Sequence, residues 1–584
     1  MDKTVNTTKP IIKYIKDTEK ALAELEKKTL PGETEEIQDI IMNFPTVYIH
    51  HWPKTGKYEV YVGESNNIFR RTRDHYRDCA NGKDWQKNLT SKKAMLYIIG
   101  HEHFNKSLTL DIENRLWHYL SSVEKVKKVH NVRSNPQNHY YPDNEFEPIF
   151  ETIWAELRST NEELFPEESV VKDSAIFKAS PLHKLKPEQA KVKEQILEKI
   201  EQALQKQEKQ IIFLDGEAGT GKTVLNSSIF FDLYRKAEKN ETKNFKCHIV
   251  VNHDEQVKVY ADIAKKFGIT DKYGKVVNKA AAFLNKHPED NSVDVVFIDE
   301  AHLLFTQGNQ GYRGKNQLDD IVKKAKVVVI VFDENQILRM DQYWESQMIS
   351  KYRDKAIEQN NHFTLTEQLR MQADKETLHW IDSFTKNRVI HKIPHSDYEI
   401  RIFDSPEELE TAIKEKANKE ESKLSRLIAN YDWAYNDGKG PEDRFVDYWE
   451  VSIGKWHKPW NKQLKKALST KQKRKISDQS WAEQEHTINE VGSTYTIQGF
   501  DLNYAGVILG ESVKYRNGRI EYDPKETKNS KVTMRKTMSD GSMKNFAQEL
   551  LKHEVRVLMT RGVKGLYIYA CNKELRDELK KAME

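Results

Sequence analysis

Short apolar runs alternate with helical stretches through most of the chain, from about residue 185 onward. In order, the runs are QIIFLD (210–215), CHIVVN (247–252), DVVFID (294–299), KVVVIVFD (326–333), IRIFD (400–404), RLIANYD (426–432), GVILGE (506–511) and GLYIYACN (565–572). Continuous apolar strands separated by helices are typical of a parallel sheet that is covered on both faces. The pattern therefore predicts two α/β domains in tandem, at 185–350 and 351–584.

The residues before 185 follow a different pattern. Residues 1–40 are polar with helical spacing of their apolar positions, which predicts a helical lead-in. The runs PTVYIHHW and YEVYVGES flank the turn PKTGK and predict a hairpin. The periodicity then predicts a helix at 67–78, a strand at 94–100 and an amphipathic helix at 108–121. We expect a small α+β domain at 41–140, followed by a proline-rich linker at 141–184 with one helix at 148–158.

Composition narrows the class of protein. The chain has 584 residues and a mean hydropathy of −0.79, and no apolar run approaches the roughly 18 residues that span a bilayer. Its three cysteines, Cys79, Cys247 and Cys571, are too few for a disulfide framework or a multi-cysteine zinc site. These features predict a protein of the reducing cytoplasm with no membrane partner.

Charge is nearly balanced, with 94 Lys and Arg against 90 Asp and Glu, so the total does not demand a nucleic-acid partner. Local clusters carry more information, namely RRTRDHYR at 70–77 and KQLKKALSTKQKRK at 462–475. The second cluster predicts a basic insert near 456–478, which is either a solvated surface or a contact for phosphates. Trp456 and Trp460 beside it either stack on bases or belong to the core.

The segment GEAGTGKT (216–223) follows a predicted strand and opens a predicted helix, which is the context of a phosphate-binding loop. Gly216, Gly219 and Gly221 let the backbone turn its N–H groups toward a polyphosphate. Lys222 adds a positive charge at the β- and γ-phosphates, and the Thr223 hydroxyl is placed to bind Mg²⁺. The helix N-terminus adds its partial positive charge. The segment predicts a nucleoside triphosphatase.

Acidic residues supply the second half of that chemistry. The strand in DVVFIDEAH ends in Asp299, which would hold Mg²⁺ mostly through water, and Glu300, which would polarise the attacking water. The run DENQ ends the next strand and places Asp333 and Gln336 near the same crevice, where Gln336 can sense the γ-phosphate.

Two arginines later in the chain suit a phosphoryl-transfer motor. Arg370 lies in LTEQLRMQ and Arg561 in RVLMTRGVKG. A phosphoryl transition state needs positive charge on its equatorial oxygens, and a guanidinium from a neighbouring domain supplies it. We therefore predict that the nucleotide site is completed by the second α/β domain.

The series KPEQ, GEAGTGKT, FIDEAH, DENQ, LTEQLR, STYTIQGFDLNYAGVILG and RVLMTRG resembles, in order, the motifs of superfamily 1 helicases. Its details most resemble the bacterial Schlafen group 3-like DNA/RNA helicase family, over about 185–575. This resemblance implies two RecA-like domains with ATP between them and a nucleic-acid strand across their tops. The roles it implies are adenine contact for Gln189, coupling of strand to nucleotide for Gln498 and Gly499, and γ-phosphate contact for Arg370 and Arg561. Asp501 stands where superfamily 1 proteins often have Glu.

The N-terminal domain carries a second set of candidate residues. Tyr48 and Tyr61 lie on the hairpin strands, and Arg71 and His75 are four apart on one helix, so they share a face. Paired tyrosines can hold or deprotonate a water, Arg71 can neutralise a scissile phosphate, and Glu113 can hold one Mg²⁺ that stabilises the leaving oxygen. The alternative is plain packing for the tyrosines and a solvated surface for the charged residues.

The stretch TVYIHHWPKTGKYEVYVGESNNIFRRTRDHY (46–76) resembles the core of the GIY-YIG nuclease family, over about 44–135. Val47-Tyr48 and Tyr61-Val62-Gly63 stand in place of its two signature triplets, with Thr46 replacing the first glycine and Val62 an isoleucine. The resemblance implies that Tyr48 or His75 assists as general base and that Asn131, or in its place Asn135, closes the site. A degenerate domain that binds without cutting remains an alternative.

Together these features predict an α/β, ATP-dependent and Mg²⁺-dependent translocase or helicase that follows a small GIY-YIG-like endonuclease domain. We expect DNA as its substrate ahead of RNA, in defence against foreign DNA or in repair, a biological role that rests on analogy. The alternatives are an ATP-gated nucleic-acid sensor with a non-cleaving N-terminal module, and an RNA-directed helicase-nuclease. Nothing in these residues reads a 2′-hydroxyl or sets the oligomeric state.

Overall fold

The computed structural model describes residues 9–27, 35–78, 85–131, 143–242, 244–308, 311–436, 439–441, 446–476, 479–497 and 499–584. Contacts within the chain divide it into two compact units. Unit 1 comprises the residues up to 184 with 231–243 and 259–276, and unit 2 comprises 185–230, 244–258 and 277–584. Within the described ranges, none of the helices combines the length and the apolar composition that a bilayer crossing needs.

Unit 1 is built on a five-stranded sheet. The elements up to residue 184 are β1 (Ile11–Lys16), α1 (Glu19–Lys27), α2 (Glu35–Asn43), β2 (Thr46–Lys54), β3 (Lys57–Ser65), α3 (Ile68–Arg77), β4 (Met95–Gly100), α4 (Lys106–Ser122), β5 (Val126–His130), α5 (Phe146–Thr160), α6 (Glu168–Asp173) and α7 (Ala175–Lys178). The strand order is β1-β4-β2-β3-β5, and only the β3–β5 pair is parallel.

The predicted hairpin and the amphipathic helix are confirmed. β2 pairs with β3 around Thr55 and Gly56, which both have positive φ, the conformation that a two-residue hairpin turn requires. α4 buries the four predicted apolar positions, Leu108, Ile112, Leu116 and Leu120. The helix α3 and the strand β4 also lie where the periodicity predicts them. These elements place the candidate residues of this unit around one end of the sheet.

The helical lead-in predicted over residues 1–40 is wrong in its first part. Residues 11–16 form β1, an edge strand that pairs antiparallel with β4 from Ile11↔Gly100 to Lys16↔Met95, and helices follow only at α1 and α2. The run IIKYIK is rich in β-branched and aromatic residues, and an available sheet edge outweighs the weak helical periodicity.

The segment predicted as the linker 141–184 holds three helices. The helix predicted at 148–158 is confirmed as α5, which buries Ile149, Phe150, Ile153, Trp154 and Leu157. α6 and α7 follow it. Pro148 lies in the first turn of α5, and Pro166 and Pro181 lie in the loops between helices, where a missing N–H costs little. Pro142 lies outside the described residues.

Two parallel sheets follow in unit 2. From residue 187 to the end of the first sheet, the elements are α8 (Pro187–Lys206), β6 (Gln210–Gly216), α9 (Lys222–Lys239), β7 (Cys247–Val251), α10 (Asp254–Lys266), α11 (Ile269–Tyr273), β8 (Val277–Asn278), α12 (Ala280–Lys286), β9 (Val293–Asp299), α13 (Gln317–Lys324), β10 (Ala325–Phe332), α14 (Ser346–Glu358) and β11 (His362–Leu365). Of these, α11 and the C-terminal parts of α9 and α10 belong to unit 1. The strand order is β11-β6-β10-β9-β7-β8, and every pair is parallel. The edge strand β11 extends this sheet beyond the boundary predicted at residue 350.

The remaining elements form the second parallel sheet, three short hairpins and their helices. They are α15 (Lys375–Asp382), β12 (Glu399–Ile402), α16 (Pro406–Ala417), β13 (Arg426–Ala429), β14 (Glu450–Ile453), β15 (Trp456–Pro459), α17 (Leu464–Ala467), α18 (Thr470–Lys475), β16 (Gly492–Ser493), α19 (Thr494–Ile497), β17 (Leu502–Leu509), β18 (Val513–Arg516), β19 (Arg519–Tyr522), α20 (Ser530–Thr533), β20 (Lys536–Thr537), β21 (Met543–Lys544), α21 (Ala547–Met559), β22 (Gly562–Ala570) and α22 (Lys573–Lys581). The order is β12-β22-β17-β13-β16, again parallel throughout. We call the two halves of unit 2 the first lobe and the second lobe.

The basic insert lies between β13 and β16 of the second lobe and consists of β14, β15, α17 and α18. Trp456 and Trp460 are buried in the core of that lobe, against Val451 and Val491. The core interpretation of the two tryptophans is therefore the correct one, and base stacking by them is excluded by their burial.

Candidate functional site

The phosphate-binding loop connects β6 to α9 at the carboxyl edge of the first sheet. Gly219 and Gly221 have φ of +90° and +78°, values that glycine adopts without strain. A side chain at Gly219 would overlap the Gln368 amide, and one at Gly221 would overlap the Gln189 amide. The two glycines therefore allow the loop backbone to curve and also leave room for the side chains of two glutamines.

Lys222 and Thr223 begin α9 with their side chains turned into the loop. The Lys222 ammonium donates to the carbonyl oxygens of Gly216 and of Glu217 (2.7 Å), and it lies 3.6 Å from Asp333 Oδ2. Thr223 Oγ1 lies 3.3 Å from Asp299 Oδ2 at the end of β9. A hydroxyl beside a carboxylate is a donor pair that suits Mg²⁺, which takes its remaining ligands from phosphate oxygens and water.

Glu300 follows Asp299 in a left-handed backbone conformation, with φ of +50°. Its backbone N–H donates to Asp299 Oδ1 at 3.1 Å, which fixes the turn. Its carboxylate lies 3.5 Å from Gln256 Nε2 and 3.1 Å from His302 Nε2. Burial lowers the pKa of His302, so the imidazole is neutral near pH 7. Backbone strain of this kind is concentrated at functional sites.

A chain of polar contacts joins the two lobes through the loop lysine. Arg561 at the end of α21 donates to Gln336 Oε1 at 3.2 Å, and Gln336 Nε2 donates to Asp333 Oδ2 at 2.8 Å, which in turn faces Lys222. Burial alone would raise the pKa of Asp333, but the Lys222 charge and the Gln336 hydrogen bond hold it below its ordinary value. Asp333 is therefore an anion that faces the Lys222 ammonium and is joined to Arg561 through the Gln336 amide.

Arg561 is completely buried, and burial together with the charge of Arg370 lowers its pKa to about 9. Its other contacts are the carbonyl oxygens of Val557 and Phe500, at 3.1 and 3.3 Å. A buried guanidinium held by neutral oxygens is the group that an incoming anion would stabilise most.

Other predicted residues lie nearby with partners that the sequence does not reveal. Arg370 pairs with Asp501 at 2.6 Å, which gives the acid at that position a partner on the segment that connects the lobes. Gln189 uses both amide atoms within the protein, donating to Thr220 O and accepting from Lys186 N. Gly499 packs against Gln256, where a Cβ would lie 2.8 Å from Nε2. Gln498 lies outside the described residues.

A charge network at Glu217 was not anticipated. Glu217, inside the loop, accepts from Arg556 at 2.7 Å and from Lys386 at 2.8 Å, and both cations also contact Asp382. Arg556 lies on α21, the helix that leads to Arg561. The network therefore ties the loop to the arginine-bearing helix, and its only sequence signal is an acid inside the glycine-rich motif.

In unit 1, the predicted tyrosines and histidine come together at one end of the sheet. Tyr48 Oη lies 3.1 Å from His75 Nε2, and Arg71 hydrogen-bonds to the hydroxyls of Tyr48 and Tyr61. The pKa of Tyr48 is raised well above its ordinary value, first by burial and then by the charge of Tyr61. The Arg71 guanidinium opposes this increase only in part. The phenol thus keeps its proton near pH 7. Trp85 stacks on Tyr61 with ring centroids 3.9 Å apart.

Glu113 and Asn131 lie next to each other, and Asn131 contacts the backbone of β3. Asn131 Nδ2 donates to Val62 O at 3.0 Å and lies 3.4 Å from Glu113 Oε1, with the Asn131 backbone left-handed at φ +66°. Glu113 is buried, on α4. Within the described residues there is no group of three or more His, Cys, Asp or Glu side chains suited to a metal. One carboxylate completed by water and phosphate oxygens still suits Mg²⁺.

A buried dyad beside the tyrosines was missed by the sequence analysis. His50 Nδ1 lies 2.7 Å from Asp17 Oδ2, both side chains are fully buried, and Tyr76 donates to the other Asp17 oxygen at 2.6 Å. The His50 ring lies edge-on to Tyr48. The alternation along β2, which puts residues 48 and 50 on one face, was the available signal.

Comparison with known proteins gives consistent similarities. A family model described as Schlafen group 3, DNA/RNA helicase domain, matches residues 209–572. A protein of Saccharomyces cerevisiae, described as uncharacterized, is 30% identical over 470 residues, which cover 74% of this chain and 98% of that protein.

Two solved structures were also found. The Pif1 helicase from Candida albicans covers 69% of this chain and is itself covered over 98% of its length, at 12% identity and a TM-score of 0.27. Drosophila ORC bound to DNA covers 34% of this chain and is covered over 48%, at 20% identity and a TM-score of 0.19.

The packing of Tyr48 predicts the effect of a methyl group at Gly63. A Cβ there would lie 2.5 Å from Tyr48 Cζ and Oη, so Gly63→Ala should lower the free energy of unfolding by about 1–3 kcal/mol. In a Tyr48→Ala background the ring is gone, and the same change should cost much less. Chemical denaturation of the four proteins measures both effects. Equal costs in the two backgrounds would contradict this packing.

The Glu217 network predicts non-additive effects on ATP turnover. Glu217→Gln should lower kcat several-fold because α21 is no longer tied to the loop. Adding Glu217→Gln to Arg556→Gln should lower kcat by less than the product of the two single effects, since the two residues share one contact. Steady-state ATPase rates test this, with Glu208→Gln as a control on an exposed acid of the same lobe. Effects that multiply would show that the two side chains act independently.

Proposed function

Because the chain belongs to the Schlafen group 3 DNA/RNA helicase family, we propose that it is an ATP-hydrolysing motor that moves along a nucleic-acid strand. The observation that carries this proposal is the contact chain from Lys222 through Asp333 and Gln336 to Arg561, which joins the phosphate loop of one lobe to an arginine of the other. A triphosphate in the loop would be in reach of both lobes, as a nucleotide-driven motor requires.

The residues divide the hydrolysis among them. The loop N–H groups and Lys222 bind the phosphates, for which the Lys222 ammonium leaves the carbonyl oxygens of Gly216 and Glu217. Thr223 and Asp299 would hold Mg²⁺, which neutralises charge on the β- and γ-phosphates when it is bound. Glu300 accepts a proton from the attacking water as the water oxygen bonds to the γ-phosphorus.

The second lobe acts on the leaving phosphate. As the bond between the γ-phosphorus and the bridging oxygen breaks, Arg561 and Arg370 stabilise charge on the γ-phosphate, and ADP and phosphate are the products. Gln336, bonded to Arg561, senses whether the γ-phosphate is present. Release of phosphate removes the anion that holds the arginines, and this change in inter-lobe attraction drives movement along the strand.

We propose a second activity for unit 1, metal-dependent cleavage of a phosphodiester by a GIY-YIG-like site. The support is the hydrogen-bonded pair of Tyr48 and His75 beside Arg71, together with the buried Glu113. Because Tyr48 holds its proton near pH 7, His75 is the general base of the pair: it takes the Tyr48 proton while Tyr48 takes one from the attacking water. Water oxygen bonds to phosphorus, and the bond to the leaving oxygen breaks, with that oxygen protonated by solvent.

The other groups position the phosphate. Arg71 neutralises the scissile phosphate, and Glu113, oriented by Asn131, would hold Mg²⁺, which stabilises the leaving oxygen when it is bound. One gel tests both activities, using labelled single- and double-stranded DNA and RNA with and without ATP and Mg²⁺. DNA cut in the presence of Mg²⁺ is the expected result. ATP turnover without cutting or strand displacement would instead favour the sensor alternative.

Loss of the loop lysine should abolish the motor. In Lys222→Ala, ATP turnover should fall at least about 100-fold, because the charge that the loop itself places at the β- and γ-phosphates is lost. Glu300→Gln should keep nucleotide binding and lose hydrolysis. Colorimetric phosphate release and binding of a fluorescent ATP analogue measure the two properties, with Lys206→Ala as a control on an exposed lysine. Normal turnover in Lys222→Ala would exclude the loop as the ATPase site.

Removal of the Glu113 carboxylate should separate phosphodiester cleavage from ATP turnover. Glu113→Gln should abolish nicking of plasmid DNA in Mg²⁺ and leave strand-stimulated ATP turnover intact, because Glu113 lies in unit 1 and the phosphate loop in unit 2. Glu124→Gln, an exposed acid of the same unit, is the matched control. Nicking that survives both Glu113→Gln and addition of a chelator would exclude this site.

A further inference from the structure

Lysines from both lobes meet beside the nucleotide site, and we call Lys258, Lys462 and Lys465 the lysine patch. Lys258 lies on α10 of the first lobe, while Lys462 and Lys465 belong to the basic insert of the second. The Glu255 carboxylate faces two of them: its oxygens lie 3.3 and 3.4 Å from Lys258 Nζ and 3.6 Å from Lys462 Nζ. The patch therefore carries more positive charge than its acid neutralises.

The remaining lysine increases that excess. Burial, and then the charges of Lys258 and Lys462, lower the pKa of Lys465, so the three ammonium groups repel one another. The side chains of Lys258 and Lys462 are 46% and 40% exposed, which leaves both accessible to a strand. Clustered and accessible ammonium groups of this kind are what a phosphate backbone neutralises.

The backbone under Lys462 is strained and firmly anchored. Asn461 and Lys462 both have left-handed φ, of +60° and +62°, which costs free energy in residues with a side chain. The segment is held by Asn461 N, which donates to Val491 O at 3.1 Å, and by Leu464 N, which donates to the buried Glu490 carboxylate at 3.3 Å. The backbone on both sides of Lys462 is thus anchored to buried groups.

The patch is one residue away from the ATPase machinery. Gln256 follows Glu255 in the first turn of α10, its Nε2 lies 3.5 Å from Glu300 Oε1, and Gly499 packs against the same amide. The contact of Lys462 with Glu255 joins the first turn of α10 to the insert. A phosphate that took the place of Glu255 on Lys462 would release this turn, and with it the Gln256 amide beside Glu300.

We propose that the lysine patch binds consecutive phosphates of a single nucleic-acid strand and that Gln256 relays its occupancy to Glu300. The inference rests on the proposed motor function and adds to it a strand-binding surface built by both lobes, with a defined route from strand to hydrolysis.

Strand binding tests the first half. Fluorescence anisotropy with a labelled single-stranded DNA oligonucleotide should show weaker binding by the triple variant Lys258→Gln/Lys462→Gln/Lys465→Gln than by wild type. The slope of log affinity against log salt should fall by about 2, since each phosphate contact on a single strand contributes about 0.7. The control is Lys206→Gln/Lys355→Gln/Lys419→Gln, which removes the same charge from exposed positions elsewhere in unit 2.

An equal salt-dependence slope in the triple variant and in the control would contradict strand binding by the lysine patch. Absence of strand binding by wild type, with DNA and with RNA of the same sequence, would instead count against the motor function itself. The two failures are therefore distinguishable, and circular dichroism of each variant confirms that it is folded before its slope is compared.

ATP turnover tests the relay. Gln256→Met keeps the length of the side chain and removes its amide, so strand affinity should stay within about two-fold of wild type while the ratio of strand-stimulated to strand-free turnover falls several-fold. Gln256→Glu adds a like charge next to Glu300 and should also lose stimulation. Full stimulation in Gln256→Met at saturating strand would overturn the relay and leave the patch as a binding surface alone.

Discussion

The buried ion pair between Lys222 and Asp333, extended by Gln336 to Arg561, is the interaction on which the organisation of unit 2 depends. Opposite charges attract strongly where water is excluded, but each also loses its hydration, so such a chain is stable only when every member is partnered. Arg561 is the member whose charge is least compensated, since it hydrogen-bonds to neutral carbonyl and amide oxygens. Every member of this series of contacts therefore has a partner within the protein, and Arg561 is still suited to bind one more anion.

Much of this site follows from sequence because its parts are local. A glycine-rich run between a strand and a helix, and acids directly after apolar strands, define positions within a few residues of each other, and parallel strands bring their carboxyl ends to one edge. The partners of those residues do not follow from sequence. Glu217 meets Arg556, and Arg370 meets Asp501, only because the second sheet comes to lie against the loop.

Unit 1 shows the same division between local and distant information. Tyr48, Tyr61 and His75 were predicted from a hairpin and one helix, which adjacent residues determine. The His50–Asp17 dyad was not, because Asp17 directly follows β1, a strand that local periodicity assigned to a helix. An edge strand of six residues takes its stability from pairing with β4, and that pairing is invisible until the sheet is assembled. A contact between residues distant in sequence therefore could not be predicted where the secondary structure of one partner's segment was predicted wrongly.

The connection between the lobes sets how they can move. β11 closes the first sheet at Leu365, the Leu369 backbone N–H donates to Gly219 O at 2.8 Å, and the Gln372 N–H already donates to Val563 O in the second sheet, also at 2.8 Å. The segment that crosses between the lobes is thus hydrogen-bonded at both ends, and one of these bonds is to the phosphate loop itself. A change in the backbone of that loop would therefore act directly on the connection to the second sheet, over only three residues of chain.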